Sequence, residues 1–171
     1  MSRSPHVVRR VRAGDGAGIA RVHVAAWRRA YAGIMPEDRL AALSVRTSSR
    51  RWETIVTTPT ETRAFVAESD GEIVGVGAAG PPREPGPADT GEVNLLYVHP
   101  DRWGTGIGSL LHDRLLAELR TLGYAEAYLW VADGNTLGID FYVHKGWTRT
   151  EDTSDHDENP PIPIRRFTID L

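Results

Sequence analysis

The spacing of apolar residues predicts two helices near the start of the chain. From about Ala17, every third or fourth residue is apolar, which is typical of a helix with one buried face. The pattern is interrupted before Pro36, and a second helical stretch is predicted from there toward Ile55, with a possible break at residues 47–49. A short strand at residues 6–12 precedes both helices.

Three strands are predicted in the middle of the chain. Residues 62–69 and 72–79 are rich in Val, Phe and Ala, and Asp70-Gly71 between them favours a type I′ hairpin turn. The third strand, residues 91–98, ends in the apolar run Leu95–Val98, which breaks simple alternation. Either both faces of this strand are buried or a bulge shifts its register.

The second half of the chain alternates between helical and strand patterns. These predicted elements are a helix at 107–122, a strand at 125–131, a helix at 135–143, and strands at 147–150 and 164–171 with a loop at 151–158 between them. The predicted order for a single domain, residues 1–171, is β-α-α-β-β-β-α-β-α-β-β. This order predicts an α/β fold with a mixed central sheet of about six to seven strands and helices on both faces.

The amino-acid composition limits the classes of function and the cellular locations that the protein can have. The chain has 171 residues, 25% of them charged, a net charge of −3 and no cysteine. The absence of cysteine excludes disulfides and thiolate catalysis. The weak net charge does not favour nucleic acid as a partner, and no apolar stretch approaches the ~20 residues of a membrane span. The N-terminus lacks the pattern of a signal peptide, so we expect a cytoplasmic protein with no membrane partner.

A glycine-rich turn is the main candidate for chemistry. Gly104, Gly106 and Gly108 alternate between the third central strand and the helix that follows it. Glycine lets a ligand approach the backbone, and a helix start offers unpaired N–H groups and a positive dipole end. The turn therefore suits a pyrophosphate. A tight turn without a ligand and a dinucleotide site are the alternatives, and no Gly-Lys-Ser/Thr is present for a Walker loop.

Several motifs in order carry a resemblance to a known family. They are Ala26-Trp27-Arg28-Arg29-Ala30-Tyr31-Ala32-Gly33, Val98-His99-Pro100, Trp103-Gly104-Thr105-Gly106-Ile107-Gly108, Leu129-Trp130-Val131, Asn135, Phe141-Tyr142 and Lys145-Gly146-Trp147. This series is similar to the GCN5-related N-acetyltransferases (GNAT), and its first motif resembles a bacterial branch of them. The family usually has Arg or Gln where Trp103 stands.

The resemblance implies the GNAT fold and an N-acetyltransferase that uses acetyl-CoA as co-substrate and no metal. It implies transfer of the acetyl group to a primary amine of a small molecule, by direct attack in a ternary complex. The residues expected to contact acetyl-CoA are Leu96, Tyr97, Val98, Trp103, Gly104, Thr105, Gly106, Ile107, Gly108, Ser109 and Asn135. The strand segment would pair with the pantetheine arm, and a free N–H there would polarise the thioester carbonyl.

The resemblance also places the catalytic groups. Tyr142 is expected to be the general acid, because a phenol with a pKa near ~10 can protonate a thiolate with a pKa near ~8.5. Glu92 is the first candidate for the general base, and Trp27 and Tyr31 for walls of the acceptor pocket. Each residue also has a simpler interpretation. Tyr142 would be a core tyrosine, Glu92 a solvated carboxylate at a strand end, and Trp27 and Tyr31 core or half-buried aromatic residues. Asn135 would be a helix cap.

Charge and assembly leave further alternatives. Five acidic residues crowd the predicted final loop, Glu151, Asp152, Asp155, Asp157 and Glu158, and would attract a cationic amine if this loop bordered the cleft. A solvated acidic loop without a ligand is the simpler interpretation, and the one that the sequence favours. A non-catalytic acyl-CoA-binding sensor and an acetyltransferase of protein N-termini or lysines remain alternatives. The family also makes a homodimer possible.

Overall fold

The computed structural model describes residues 6–156 and 161–171 and contains a seven-stranded sheet with five α-helices. The strands are β1 (Val7–Arg10), β2 (Arg63–Ser69), β3 (Glu72–Gly80), β4 (Thr90–Val98), β5 (Glu126–Ala132), β6 (Thr148–His156) and β7 (Ile162–Asp170). The helices are α1 (Gly16–Ala30), α2 (Glu37–Ala42), α3 (Val45–Thr57), α4 (Ile107–Thr121) and α5 (Thr136–His144).

Helices cover both faces of the sheet, as the sequence predicts. Adjacent residues of a strand point to opposite faces, and in β2 Val66 belongs to a core with Ile19 of α1, whereas Phe65 belongs to a second core with Leu111 and Leu115 of α4. The predicted α/β class with a mixed sheet is confirmed. So is the hairpin turn between β2 and β3, where Asp70 and Gly71 both have positive φ, 53° and 80°.

The sheet opens between β4 and β5. Its strand order is β1-β2-β3-β4-β5-β7-β6, and β4 with β5 is a parallel pair. The pairing covers only Thr90 to Glu92 of β4, opposite Glu126 to Tyr128. At Asn94 the register between β3 and β4 shifts, since Leu95 pairs with Ala78 and Val93 with Ala79. The predicted bulge is therefore present, and beyond it one edge of β4 faces no strand among the described residues.

Two predicted boundaries were wrong. The helical stretch from Pro36 toward Ile55 is two helices, α2 and α3, and the break lies at Leu43-Ser44 and not at residues 47–49. Ser44 begins α3 because its hydroxyl accepts a hydrogen bond from the backbone N–H of Thr47. The predicted loop at 151–158 is strand β6 through His156, and residues 157–160, including the acidic Asp157 and Glu158, lie outside the described part of the chain.

Candidate active site

The start of α4 is uncapped and open, and it lies at the end of β4 beside the gap in the sheet. Gly104 and Gly106 have φ of 73° and 90°, which explains the need for glycine at both, and a Cβ at either would meet nothing within 4 Å. No side chain caps the helix at Gly106, and the first helical bond to this residue comes from Leu110. The N–H groups of residues 107–109 are thus available to a ligand.

Side chains near this turn hold it in place rather than fill it. The Trp103 indole N–H donates to the Val98 carbonyl at 2.8 Å, and the Thr105 hydroxyl donates to the Arg102 carbonyl at 2.6 Å. Ile107 is fully buried in the core. Among the predicted acetyl-CoA residues, Ile107 therefore offers its main chain only, and Gly108 packs close to the Phe141 ring.

Helix α5 places Tyr142 near the gap. Asn135 begins this helix and accepts a hydrogen bond from Gly138 N–H at 3.0 Å, so the cap interpretation of Asn135 is confirmed, while its contact with a ligand stays a prediction. The half-buried Tyr142 ring lies edge-on to the rings of Phe141 and Trp147, with centroids 5.3 and 5.9 Å away. Burial, together with Tyr97 and Tyr31, raises the pKa of Tyr142 well above its ordinary value. The phenol therefore keeps its proton at neutral pH.

Glu92 lies where the gap in the sheet begins, at the last residue pair between β4 and β5. Its side chain is 1% exposed and accepts hydrogen bonds from the Arg83 backbone N–H at 2.8 Å, the Arg83 guanidinium Nε at 2.9 Å and the Tyr128 hydroxyl at 3.1 Å. This carboxylate is not the solvated strand-end group that the simpler interpretation expects. It joins the β3–β4 loop to β5.

The two predicted acceptor-pocket residues pack against each other, and Trp27 contacts the predicted cofactor strand. The Trp27 ring lies 4.8 Å from Tyr31 and 6.5 Å from Tyr97 of β4, measured between centroids. His23, one turn earlier on α1, stacks on Tyr97 at 5.3 Å and accepts a hydrogen bond from the Trp52 indole at 3.2 Å. The α1 face of the open sheet is thus lined with aromatic rings.

An acidic cleft of about 590 Å³, wide open to solvent, lies on the α1 face of the sheet, because Trp130 alternates along β5 with Leu129 and Val131 of the core against α4. The residues lining it are Glu84, Trp130, Glu151, Asp152, Thr153, Ser154 and Arg166. Three carboxylates against one guanidinium give this cleft a negative field. Two of the five acidic residues singled out in the sequence therefore border a cleft, although they do so from a strand and not from a loop.

Sequence reasoning missed several partners in this region. Arg83 and Tyr128 come to Glu92 from the β3–β4 loop and from β5, and His23 comes from the flank of α1. The only sequence signal was the aromatic spacing of His23 and Trp27, which is also ordinary for a buried helix face. Within residues 6–156 and 161–171, no three His, Asp or Glu side chains lie close enough to share a metal ion, and no helix is long and apolar enough to cross a membrane.

Comparison with known proteins identifies relatives for most of the chain. Residues 24–147 match the model of the acetyltransferase (GNAT) family. A mycothiol acetyltransferase of Geodermatophilus obscurus is 42% identical over 69 residues, which are 40% of this chain and 22% of the relative. The uncharacterized N-acetyltransferase YuaI of Bacillus subtilis is 29% identical over 136 residues, which are 79% of this chain and 76% of YuaI. This chain thus spans under a quarter of the mycothiol relative's length.

A solved structure shares the fold. The PaiA N-acetyltransferase of Thermoplasma acidophilum, in complex with coenzyme A, superposes with a TM-score of 0.72 at 19% identity, covering 95% of this chain and 98% of that one. The resemblance inferred from the glycine turn and the motifs after it is confirmed by the family match. The chain belongs to the acetyltransferase (GNAT) family.

Proposed function

We propose that this protein transfers the acetyl group of acetyl-CoA to a primary amine of a small molecule, in a ternary complex. The observation that carries this proposal is the opening of the sheet after Glu92, directly beside the uncapped start of α4. An unpaired strand edge and a helix N-terminus are the two groups that suit a chain of amides ending in a diphosphate. Membership of an acetyltransferase family supports the same reaction.

The groups at the opening support acetyl-CoA as the ligand. The N–H groups of residues 107–109 would bind the diphosphate, and the conformations of Gly104 and Gly106 leave space for it. The unpaired edge of Leu96–Val98 would accept the pantetheine amides. Acetyl-CoA supplies the acetyl thioester, and the protein supplies binding, orientation and proton transfer.

Tyr142 is our proposed proton donor to the departing thiolate. An ordinary phenol with a pKa near ~10 already holds its proton at neutral pH, so a proton is present when the thiolate, with an ordinary pKa near ~8.5, leaves. The burial that raises the pKa of Tyr142 makes it a weaker acid than a free phenol, so the proposal rests on its position and not on this shift. Rings on two sides, from Phe141 and Trp147, restrict where the hydroxyl points. This restriction supports a positioned acid rather than a mobile core residue.

Glu92 is our proposed final acceptor of the amine's proton. Its carboxylate is buried, and the proposed path for the proton is the Tyr128 hydroxyl, which donates to Glu92 Oε2 and whose side chain lines a pocket with Glu84 and Arg166. In this step the Tyr128 oxygen takes the amine's proton while its own proton moves to Glu92. The geometry that supports this path is the end of strand pairing at these two residues.

The acidic cleft supports a cationic acceptor. An alkylamine with a pKa near ~10.4 arrives as an ammonium ion, and Glu84, Glu151 and Asp152 would concentrate it at the α1 face. The rings of Trp27 and Tyr31 would then contact its apolar part. The homodimer and the cytoplasmic location stay predictions.

Turnover of acetyl-CoA against a panel of small amines, peptide N-termini and lysine peptides tests this function. We expect release of coenzyme A with small cationic amines. In Tyr142→Phe, kcat should fall by about 10²-fold, the usual scale of a lost general acid. The half-buried Tyr124→Phe, on the turn after α4, is the matched control and should retain activity. Tight coenzyme A binding without turnover would favour a sensor, and turnover of peptides alone would favour a protein acceptor.

A further inference from the structure

A buried histidine that the proposed chemistry does not use lies between α4 and α5. His112 of α4 is 4% exposed and Trp147, just before β6, is 3% exposed. The Trp147 indole N–H donates to His112 Nε2 at 2.9 Å, and the other ring nitrogen, Nδ1, lies 2.8 Å from Asp113 Oδ1. Both ring nitrogens of a core histidine are therefore occupied.

Only one protonation state satisfies both contacts. An indole N–H is a donor only, so His112 Nε2 must be a bare acceptor, and Nδ1 must carry the proton that it donates to the Asp113 carboxylate. Burial lowers the pKa of His112 and favours this neutral form. The arrangement gives the imidazole a fixed tautomer and the Trp147 ring a fixed orientation.

The held Trp147 ring contacts the proposed acid. Its centroid lies 5.9 Å from that of Tyr142 at an interplanar angle of 71°, and its backbone N–H donates to the Tyr142 carbonyl at 3.0 Å. On the other side, the Phe141 ring lies 5.9 Å from His112 and 5.3 Å from Tyr142. His112 thus touches both aromatic neighbours of Tyr142.

An ion pair outside the core also connects α4 with α5. Lys145, which ends α5, forms an ion pair with Asp113 Oδ1 at 2.9 Å. The carboxylate that accepts from His112 therefore also holds the C-terminal end of the helix that carries Tyr142. Since α4 begins at the glycine turn, these contacts connect the expected diphosphate site to the expected acid.

We propose that His112 is a positioning residue that acts through Trp147 to hold the Tyr142 hydroxyl toward the reacting sulfur. This inference rests on the proposed function, since it needs Tyr142 to be the acid. It assigns to His112 no contact with substrate and no proton transfer of its own. A displaced phenol lowers the rate of the chemical step and leaves the binding of acetyl-CoA unchanged.

A double-mutant cycle on kcat tests the proposal. We expect His112→Leu to lower kcat by about tenfold, with the KM for acetyl-CoA changed by less than about twofold. In a Tyr142→Phe background the same change should cost less than about twofold, because no hydroxyl remains to be positioned. His112→Gln, whose amide oxygen accepts from Trp147, should recover most of the rate. Trp147→Phe, which keeps a ring but loses the donor, should behave like His112→Leu.

Leu119→Ala is the control for general loss of packing. Leu119 is fully buried further along α4, so its truncation destabilises the same core. Any loss of kcat that it causes should be the same with and without the Tyr142 hydroxyl. Hydrogen exchange of the Trp147 indole N–H, followed by NMR, gives a readout independent of activity and should be slow in wild type and fast in His112→Leu.

The outcomes separate the two proposals. An active wild type in which the losses from His112→Leu and Tyr142→Phe multiply would overturn the positioning role and leave the function intact. Fast indole exchange in wild type would overturn it as well. A wild type without acetyl transfer, or one with full activity in Tyr142→Phe, would overturn the assignment of the acid and the positioning role together.

Discussion

The Trp103 indole N–H donates a hydrogen bond to the main-chain carbonyl of Val98 at 2.8 Å. The family resemblance leads us to expect Arg or Gln where Trp103 stands, and an indole offers no charge to a diphosphate. Its hydrogen bond instead fastens the glycine turn to the end of β4. The Trp103 side chain thus contributes to the shape of the turn through its hydrogen bond to the backbone.

Trp103→Phe should weaken the binding of coenzyme A by about fivefold, because one hydrogen bond is worth about 1 kcal/mol. The ring remains, so the stability of the fold should change little. Titration calorimetry with coenzyme A measures the effect. An unchanged Kd would show that the turn keeps its shape without this bond.

Gly106→Ala should lower both stability and cofactor affinity. An alanine at φ 90° costs about 1–2 kcal/mol of stability. The distorted turn would also weaken a charge-assisted main-chain hydrogen bond to the ligand, so the Kd for coenzyme A should rise about tenfold. Gly123→Ala is the matched control, since Gly123 has φ 91° at the other end of α4 and is equally open. Equal losses of affinity in the two variants would contradict a role for Gly106 in binding.

Removing either partner of the Arg83–Glu92 pair should have unequal effects on stability. Arg83→Ala leaves a buried carboxylate without its cation, which costs about 3–5 kcal/mol, whereas Glu92→Gln leaves a cation that is 65% exposed to water. Urea unfolding compares the two variants. We expect Arg83→Ala to be the less stable one, and the opposite order would contradict the unequal effects predicted from the burial of Glu92 and the exposure of Arg83.

Glu92→Gln should also lower kcat by about 10²-fold if this residue accepts the amine's proton. The rate should recover toward high pH, where more of the amine is already deprotonated. Tyr128→Phe interrupts the same path and should show the same pH dependence. A Tyr128→Phe enzyme with a wild-type pH–rate profile would exclude the path through this hydroxyl.

His23 should make the fold sensitive to mild acid. Burial, and secondarily the charge of Arg51, lowers the pKa of His23 from 6.5 to about 4. The unfolded chain therefore binds a proton at a higher pH than the folded chain, so the contribution of His23 to stability is complete above pH ~6.5 and declines as the pH falls toward 4. Urea unfolding at pH ~7 and ~5 should show a smaller difference in His23→Gln than in wild type. The exposed His144→Gln is the control and should keep the wild-type difference.

Strand β6 shows what apolar spacing does not reveal. Residues 148–156 contain no aliphatic or aromatic core residue, and nearly all are exposed, because β6 is the edge of the sheet and pairs with β7 through main-chain bonds. A strand without a buried face has no apolar pattern to detect. The central elements, by contrast, bury one face or both, and their type was predicted correctly from the sequence.

The candidate site also contains residues that the sequence predicts and residues that it does not. The glycine turn and Tyr142 belong to local motifs that can be read along the chain. The partners of Glu92 come from residues 9 and 36 positions away, and Trp147 lies 35 positions from His112. Contacts at such separations depend on how strands are ordered in the sheet, and one sequence without the fold does not specify them.

The sheet consists of two parts, one of four strands (β1 to β4) and one of three (β5, β7 and β6). Only three residue pairs, at the start of β4 and β5, join these parts by strand pairing. A ligand in the gap would lie along the unpaired part of β4, in the position that another strand would occupy. Such a ligand would join the two parts of the sheet along the edge of β4 beyond Glu92, where β5 does not pair with it.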